Sequence, residues 1–265
     1  MNVQVLLATM NQKDFSLLEK MNIQTDAIVG NQCDKNEILE FDYNGKNIKW
    51  LSLAERGVGL NRNNCLMRAT GDICLFADDD VVYDNGYEKI ITDFYAKNPK
   101  ADVVVFNFSV SRDGETFVDE VTKTKKLKWN NVLKYGAYAI TARVDKLKFF
   151  NINFNRCFGG GTEHSCGEDT LFLSDCYKSG LQIYSCKEKI GTVKHNDSTW
   201  FNGYTDKYFF DKGVLFSLLN KNFSAIFSLY HCFKHRNKFA EYGWLNAYKM
   251  MLKGIKSAKN KFNKD

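Results

Sequence analysis

The sequence predicts an α/β fold, with a doubly wound, mostly parallel sheet and a C-terminal helical extension. Short apolar runs alternate with segments of helical composition over residues 1–110. This alternation is typical of parallel sheets whose two faces are covered by helices. From about residue 211 onward, apolar side chains recur at helical spacing with no strand between them, which predicts helices alone.

Five apolar runs are predicted to form strands of the sheet. They cover residues 3–8, 26–30, 48–53, 73–77 and 102–110. The segments between them have helix-forming composition, and the predicted helices cover residues 13–20, 58–69 and 85–97. Gly71 ends the second helix, and Pro99, the single proline, ends the third.

The composition is that of a globular protein, with 265 residues of which 44% are hydrophobic and 26% charged. No window approaches the roughly 18 apolar residues that cross a bilayer, and no signal peptide is predicted, because the first apolar run lacks a basic region ahead of it. We therefore expect a cytoplasmic protein, with peripheral contact to the inner face of the cell membrane left open. The eight cysteines are expected to be reduced thiols, and the lack of a Cys-x2-Cys pair disfavours structural zinc.

The net charge of +6 is unevenly distributed along the chain. From Lys212 to the C-terminus there are 11 Lys/Arg against 2 Asp/Glu, a net charge of +9, which leaves −3 for residues 1–211. A basic amphipathic helix can lie on an anionic membrane surface. The alternative is a helical lid packed on the rest of the protein with its lysines solvated. Because the body of the protein is acidic, nucleic acid is not expected as a partner.

Three consecutive aspartates, Asp78, Asp79 and Asp80, follow the fourth predicted strand, while Thr9 and Asn31 follow the first and second. In open α/β sheets, ligands bind beyond the carboxyl ends of the strands, so these side chains are expected to share one crevice. Adjacent carboxylates repel one another unless a cation neutralises them, and a site made of oxygen ligands suits Mg²⁺ or Mn²⁺. The alternative is a solvated acidic turn that caps the next helix.

A second acidic segment contains Glu168 and Asp169 and is predicted to open a helix. A carboxylate at this place could act as a general base. The neighbouring glycines, among them Gly160 and Gly161, would let the backbone approach a ligand. Ordinary capping of the helix N-terminus is the alternative interpretation of the two carboxylates.

Three further residues have both a functional and a structural interpretation. Arg62 could bridge to a phosphate or hold a carboxylate in place, or it could be a surface arginine. His195 could be a ligand or a structural histidine. Trp200 is the candidate aromatic for stacking on an acceptor, with a buried core tryptophan as the alternative.

Taken together and in this order, these segments resemble family 2 glycosyltransferases. The family's Arg-Asn pair, helix, Ala-x-Gly turn and apolar strand leading to an Asp-x-Asp metal motif resemble GLNRNNCLMRATGDICLFADDDVVY. Its acceptor loop and Glu-Asp segment resemble FNRCFGGGTEHSCGEDTLFLSDCYKSGLQIY, and its histidine region resembles KHNDSTW. The resemblance covers roughly residues 1–210.

The resemblance implies a GT-A fold and transfer of a sugar from a nucleotide donor with inversion at the anomeric carbon. It implies that Asp80 contacts a divalent metal, Mn²⁺ or Mg²⁺, and that Asp78 contacts the donor ribose or completes the metal shell. It implies that Asp169, in the Glu168-Asp169 pair, is the catalytic base. His195 is implied as a further metal ligand.

The same resemblance assigns the other site residues. The implied nucleotide-sugar-binding residues are Thr9, Asn31, Arg62, Asp78 and Asp79, and the implied acceptor residues are Gly160 and Gly161, to which the candidate stacking residue Trp200 is added. Two departures affect recognition of the base. The family's Pro-x-Tyr-Asn after strand one is here Thr9-Met10-Asn11, and its Asp-Asp-Gly-Ser after strand two is replaced by Gly30 to Asp34.

The expected domains are a GT-A catalytic domain, residues 1–210, and a basic amphipathic helical tail, residues 211–265. Residues 1–110 would be the nucleotide-binding half of the domain and residues 111–210 the acceptor half. The expected activity is metal-dependent transfer from a nucleotide-diphosphate sugar, with uridine the family's commonest base, to a hydroxyl of a glycan or lipid-linked acceptor in surface polysaccharide synthesis.

Two alternatives to this activity stay open. One is a metal-dependent nucleotidyltransferase or phosphohydrolase that uses the same carboxylates, although a basic, glycine-rich phosphate loop near the N-terminus is absent from the sequence. The other is a non-catalytic module that binds a nucleotide sugar.

Overall fold

The structure is a computed structural model that describes residues 1–112, 116–194 and 203–262. Its strands are β1 (Val3–Met10), β2 (Asp26–Gln32), β3 (Glu37–Tyr43), β4 (Lys46–Leu53), β5 (Ile73–Asp78), β6 (Val81–Tyr83), β7 (Val103–Arg112), β8 (Thr116–Asp119), β9 (Lys125–Lys126), β10 (Ile140–Arg143) and β11 (Ile183–Val193). Its α-helices are α1 (Ser16–Lys20), α2 (Val58–Arg68), α3 (Tyr87–Lys97), α4 (Trp129–Val132), α5 (Val144–Phe149), α6 (Glu168–Lys178), α7 (Asp206–Leu219), α8 (Ser224–Lys234) and α9 (Trp244–Phe262).

The strands form one mixed sheet in the order β3-β4-β2-β1-β5-β10-β7-β11-β6, with β8 beside β7 and β9 beside β11. The neighbours β4, β2, β1 and β5 run parallel, as do β7 and β11. Strand β10 is antiparallel to both β5 and β7. The predicted α/β class and C-terminal helices are confirmed, and the carboxyl ends of β1, β2, β4 and β5 meet at one edge of the sheet.

Strand β3 was not predicted. It pairs antiparallel with β4 at the end of the sheet, and most of its side chains are exposed, so it lacks the alternation of a half-buried strand. The turn between β3 and β4 is formed by Asn44 and Gly45, which both have positive φ, 54° and 76°. An Asn-Gly pair is the preferred sequence of a two-residue hairpin turn.

An aromatic cluster fixes helix α6 on strand β5. The rings of Phe154 and Phe172 lie almost parallel with centroids 4.3 Å apart, and Phe76 of β5 meets them edge-on at 5.0 and 5.3 Å. Aromatic pairs of this kind contribute about 0.5–1.5 kcal/mol each beyond their buried area. The carboxylates at the start of α6 are therefore held at a fixed place relative to the end of β5.

The C-terminal helices pack closely on one another and on the body of the protein. A Cβ atom on Gly213 of α7 would collide with the backbone of Met251, and one on Gly254 of α9 would collide with the backbone of Phe210. Leu215 of α7 packs in a second core cluster with Phe158. The boundary at residue 210 stays a prediction. Within the described residues, none of the helices combines the length and apolar character needed to span a bilayer.

Candidate active site

The strand ends bring the first set of predicted site residues together. In the register of the sheet, Thr9 of β1 lies opposite Asn31 of β2, and the preceding residue, Ala8, lies opposite Asp78 of β5. Parallel strands that end at the same level place their last side chains in a common crevice. The structure therefore brings Thr9, Asn31 and Asp78 to one edge, as the sequence predicted, while their roles stay predictions.

Arg62 connects the two acidic segments. Its Nη2 donates to Oδ1 of Asp78 at 2.6 Å, and its Nη1 donates to Oε1 of Glu168 at 3.2 Å and to Oδ1 of Asp169 at 3.1 Å. The arginine side chain is only 3% exposed, and its guanidinium lies 5.2 Å from the centre of the Phe154 ring. Arg62 is thus the centre of a half-buried ionic cluster and is not a surface arginine.

The cluster changes the protonation of its members. Burial would lower the pKa of Arg62, but the charges of Asp78, Asp169 and Glu168 outweigh it and raise that pKa above its usual range, so the guanidinium stays charged. Burial and the neighbouring charge of Glu168 raise the pKa of Asp169 above 3.8, although Arg62 opposes the shift. Its side chain is still 24% exposed. A carboxyl group with a raised pKa and access to the crevice suits a general base.

A second network holds the loop that follows β1. Thr9 donates its hydroxyl hydrogen to Asp79 at 2.6 Å, and the Gln12 side-chain amide donates to the Thr9 hydroxyl at 2.9 Å. The side chain of Asn31 accepts from the backbone N–H of Gln12 and donates to its carbonyl oxygen, both at 3.0 Å. Asn31 and Thr9 therefore fix this loop, and Gln12 is a member of the site that the sequence analysis missed.

The glycine-rich segment packs against the start of α2. The backbone N–H of Val58 donates to the carbonyl oxygen of Gly160 at 3.0 Å. Gly159 and Gly161 have positive φ, 99° and 78°, and a Cβ on Gly159 would lie within 2.7 Å of both Val58 and Glu168. Gly160, in contrast, faces open space. The segment can approach α2 because of its glycines, and it lies beside Glu168.

A buried network that the sequence analysis did not identify ties this segment to α7. Nδ1 of His164 lies 2.8 Å from Oδ1 of Asp211, while Oδ2 of Asp211 accepts from Ser165 at 3.2 Å and from Lys207 at 2.8 Å. Asp211 is 3% exposed. Burial alone would raise the pKa of Asp211, but the hydrogen bonds from His164, Lys207 and Ser165 lower it below 3.8. Asp211 thus anchors the loop that precedes Glu168.

Replacing Asp211 by asparagine is expected to destabilise the protein by about 3 kcal/mol at neutral pH, because the buried network loses its negative charge and one of its two acceptor oxygens. The folded-state pKa of Asp211 is lowered, so its contribution is present above pH 3.8 and is lost as the pH falls through the folded-state pKa. Thermal unfolding over a pH series measures this loss of stability. Glu163→Gln is the control, because Glu163 is 56% exposed and its salt bridge to Lys261 contributes about 0–1 kcal/mol. Equal melting temperatures for wild type and Asp211→Asn at pH 7 would contradict the anchoring role.

Two predicted residues, His195 and Trp200, lie outside the residues that the structure describes, and their roles stay predictions. Asp80 lies just beyond β5, where its carbonyl oxygen accepts from the backbone N–H of Lys194 at 3.1 Å. The described part of the chain contains no group of three or more His, Cys, Asp or Glu side chains placed to hold a metal ion. The carboxylate oxygens of Asp78 and Asp80 still suit Mg²⁺ or Mn²⁺, which commonly bind through one or two carboxylates and complete their shell with substrate phosphates.

Solved structures with the same fold support the architecture. The structure of S. aureus TarS residues 1–349 superposes with a TM-score of 0.65 at 17% identity, covering 96% of this chain and 81% of that chain. The same TarS fragment in complex with UDP-GlcNAc gives 0.63 at 18% identity, covering 96% and 82%. The structure titled S. aureus TarS gives 0.61 at 18% identity and covers 93% of this chain but 45% of that one. No curated protein matches the chain.

The mixed sheet that this chain shares with these structures is the GT-A fold. The model of glycosyl transferase family 2 matches residues 31–162, a segment that includes Arg62 and the three aspartates. This match confirms the resemblance to family 2 glycosyltransferases seen in the sequence, and together with the fold it identifies the chain as a glycosyltransferase.

Proposed function

We propose that the protein is a metal-dependent, inverting glycosyltransferase that moves a sugar from a UDP-sugar to a hydroxyl of a glycan or lipid-linked acceptor. The observation that carries this proposal is the cluster around Arg62. One guanidinium binds Asp78 at 2.6 Å and Asp169 at 3.1 Å, so a strand-end carboxylate and a helix-end carboxylate share one crevice. A donor held at the first and an acceptor deprotonated by the second would meet between them.

The donor side of the crevice is proposed to lie over the ends of β1, β2 and β5. Thr9, Asn31 and Gln12 form its wall, and Asp78 and Asp80 are the residues that would hold the divalent metal. When bound, the metal would neutralise the charge that develops on the diphosphate leaving group. The choice of uridine is supported by the UDP-GlcNAc and UDP complexes of the structurally similar TarS.

The acceptor side is proposed to be lined by Asp169 and the glycine-rich segment. In its ionised form Asp169 removes the proton from the acceptor hydroxyl, whose oxygen attacks the anomeric carbon on the face opposite the leaving group. The new glycosidic bond forms as the bond to the diphosphate breaks, which inverts the configuration. Arg62, which also binds Glu168, holds Asp169 in place for this step. Gly160 leaves room for the acceptor, Gly161 lets the segment turn against the backbone of Gly57, and Trp200 stays the proposed stacking aromatic.

The cellular setting is part of the same proposal. We place the enzyme in the cytoplasm, acting in surface polysaccharide synthesis and in peripheral contact with the inner face of the membrane through its basic tail. The tail's positive charge, +9 from Lys212 onward, supports attraction to anionic lipid.

Donor binding is expected to require metal and nucleotide together. Because the protein supplies only a few carboxylates, manganese alone should leave the melting temperature unchanged. UDP with manganese, at about 100 times its dissociation constant, should add about 2.7 kcal/mol, which corresponds to a rise of about 5–10 °C. Differential scanning fluorimetry with a panel of nucleoside diphosphates measures this, and Asp80→Asn should lose the rise.

An exposed carboxylate away from the crevice provides the control. Asp93→Asn, on the surface of α3, should keep the full rise with UDP and manganese. If no nucleoside diphosphate stabilises the wild type in the presence of manganese, the proposed donor site is wrong. If the rise persists in Asp80→Asn, Asp80 does not hold the metal.

A further inference from the structure

Helix α8 exposes its large apolar side chains to solvent and buries small or polar ones. The residues that it buries are small or polar, namely Ser224, Ser228 and Cys232, each at most 1% exposed. Its large apolar residues point outward and are 42–62% exposed; they are Phe223, just before the helix, and Ile226, Phe227, Leu229, Tyr230 and Phe233. An amphipathic helix on a globular protein places its apolar stripe toward the core.

The buried face of α8 explains why the helix does not rotate. Ser224, Ser228 and Cys232 are four residues apart and form a narrow stripe of small side chains on one face. Cys232 lies in a compact cluster with Phe209 and Met251, its sulfur 3.4 Å from the Met251 sulfur. Rotation would push phenylalanine rings into a space that accommodates serine and cysteine. The apolar face is therefore fixed outward by the packing.

The apolar face is surrounded by positive charge. Exposed basic residues stand at both ends of α8 and along α9; they are Lys221, Lys234, Arg236, Lys238, Lys249, Lys253 and Lys256. Residues 221–262 contain nine Lys/Arg and one acidic residue, Glu241, a net charge of +8. Arg236 lies 4.8 Å from the Phe233 ring centre and Lys234 lies 5.7 Å from that of Tyr230. Aromatic rings with cations close to them match the boundary between acyl chains and anionic headgroups.

We propose that the outward face of α8, defined by Phe223, Ile226, Phe227, Leu229, Tyr230 and Phe233, inserts into the interface of an anionic lipid bilayer. Charge favours this occupant over a second copy of the chain. A symmetric dimer through α8 would bring two segments of charge +8 together, whereas anionic headgroups neutralise them. The membrane contact that was proposed above for the whole basic tail is thereby assigned to one helix, α8.

The position of α8 also relates the membrane to the active site. Helix α8 packs on α7 and α9, and α7 carries Asp211, which holds the loop before Glu168. The outward face of α8, which would contact lipid, and the acceptor side of the crevice are thus connected through one packed group of helices. Such an arrangement suits an acceptor that is itself attached to lipid; this last step rests on the proposed function, whereas lipid binding by α8 does not.

Vesicle co-sedimentation of the full chain without any substrate tests the proposal. The wild type should bind vesicles of phosphatidylcholine and phosphatidylglycerol (about 7:3) and should bind pure phosphatidylcholine vesicles much more weakly. The triple variant Ile226→Ser/Phe227→Ser/Tyr230→Ser should bind the anionic vesicles at least about tenfold more weakly than the wild type does. Lys234→Gln and Lys238→Gln should each weaken binding about fivefold.

The control is Phe149→Ser, because Phe149 is 81% exposed and lies on α5, away from the C-terminal helices; it should bind like the wild type. Equal binding of wild type and triple variant to anionic vesicles would overturn the proposal, as would no binding by the wild type. A dimer in light scattering that the triple variant loses, without vesicle binding, would assign α8 to self-association instead. The rise in melting temperature with UDP and manganese should be equal in all these variants, so failure at the membrane leaves the proposed reaction standing.

Discussion

Replacing Asp169 by asparagine is expected to slow sugar transfer by about 100- to 10,000-fold while leaving donor binding intact. Asparagine is nearly the same size and can still accept the hydrogen bond that Arg62 makes at 3.1 Å. It cannot accept a proton from the acceptor hydroxyl. The loss should therefore appear in kcat, with the UDP- and manganese-dependent rise in melting temperature unchanged, when nucleoside diphosphate release from the donor is followed.

The matched control for this variant is Asp175→Asn, because Asp175 lies on the same helix with its side chain exposed. Its rate should equal that of the wild type. A transfer rate for Asp169→Asn within a few-fold of the wild type would contradict the proposed mechanism. If Asp169→Asn lost both activity and the rise in melting temperature with UDP and manganese, Asp169 would be assigned to donor binding and not to the acceptor side.

Replacing Arg62 by methionine is expected to destabilise the protein by about 3–5 kcal/mol at neutral pH, a fall of about 6–20 °C in melting temperature. The change leaves Asp78, Glu168 and Asp169 close together with no cation among them. The three carboxylates then repel one another, so the loss of stability should be small at acid pH and should grow as the pH increases and negative charge accumulates. Thermal unfolding between pH 4 and pH 8 measures this trend.

Two variants on the same helix show whether the cluster is responsible. Arg62→Lys keeps the charge but loses the fork that reaches three carboxylates, so it should recover part of the stability. Arg68→Met removes an arginine whose hydrogen bonds go to Asn64 and should have little effect. A pH-independent loss in Arg62→Met would mean that the packing against Phe154, and not the charge, is what Arg62 contributes.

The parts of the fold that the sequence predicted are those with strong hydrophobic periodicity. Strands β1, β5 and β7 are largely apolar, β2 and β4 contain shorter apolar runs, and each of the five was predicted within a few residues. Strand β10 has only four residues and gives no periodic signal, although its antiparallel insertion between β5 and β7 completes the sheet. The predicted first helix was also too long, since α1 is limited to Ser16–Lys20.

The candidate site was predictable where chemistry is concentrated in short segments. Asp78 and Asp169 stand in such segments, and the structure places both on Arg62. The pairing of His164 with Asp211 spans 47 residues and joins a loop to a helix outside the predicted catalytic domain, so spacing alone could not reveal it. The helix α8 shows a further limit. Its apolar spacing correctly predicted a helix, but the sequence does not say that its small residues, and not its aromatic ones, meet the protein.

The central claim is that the sugar is transferred by a single displacement with inversion. Its most direct test is hydrolysis of the bond between the sugar and UDP, with water in place of the acceptor. The donor that most stabilises the protein is incubated with enzyme and manganese, and the released sugar is followed by ¹H NMR before its anomers equilibrate. The proposed mechanism predicts UDP and a free sugar that first appears with inverted anomeric configuration, at a rate lost in Asp169→Asn. A sugar released with retained configuration would contradict the single displacement, and a sugar 1-phosphate would show that the carboxylates cleave the diphosphate instead.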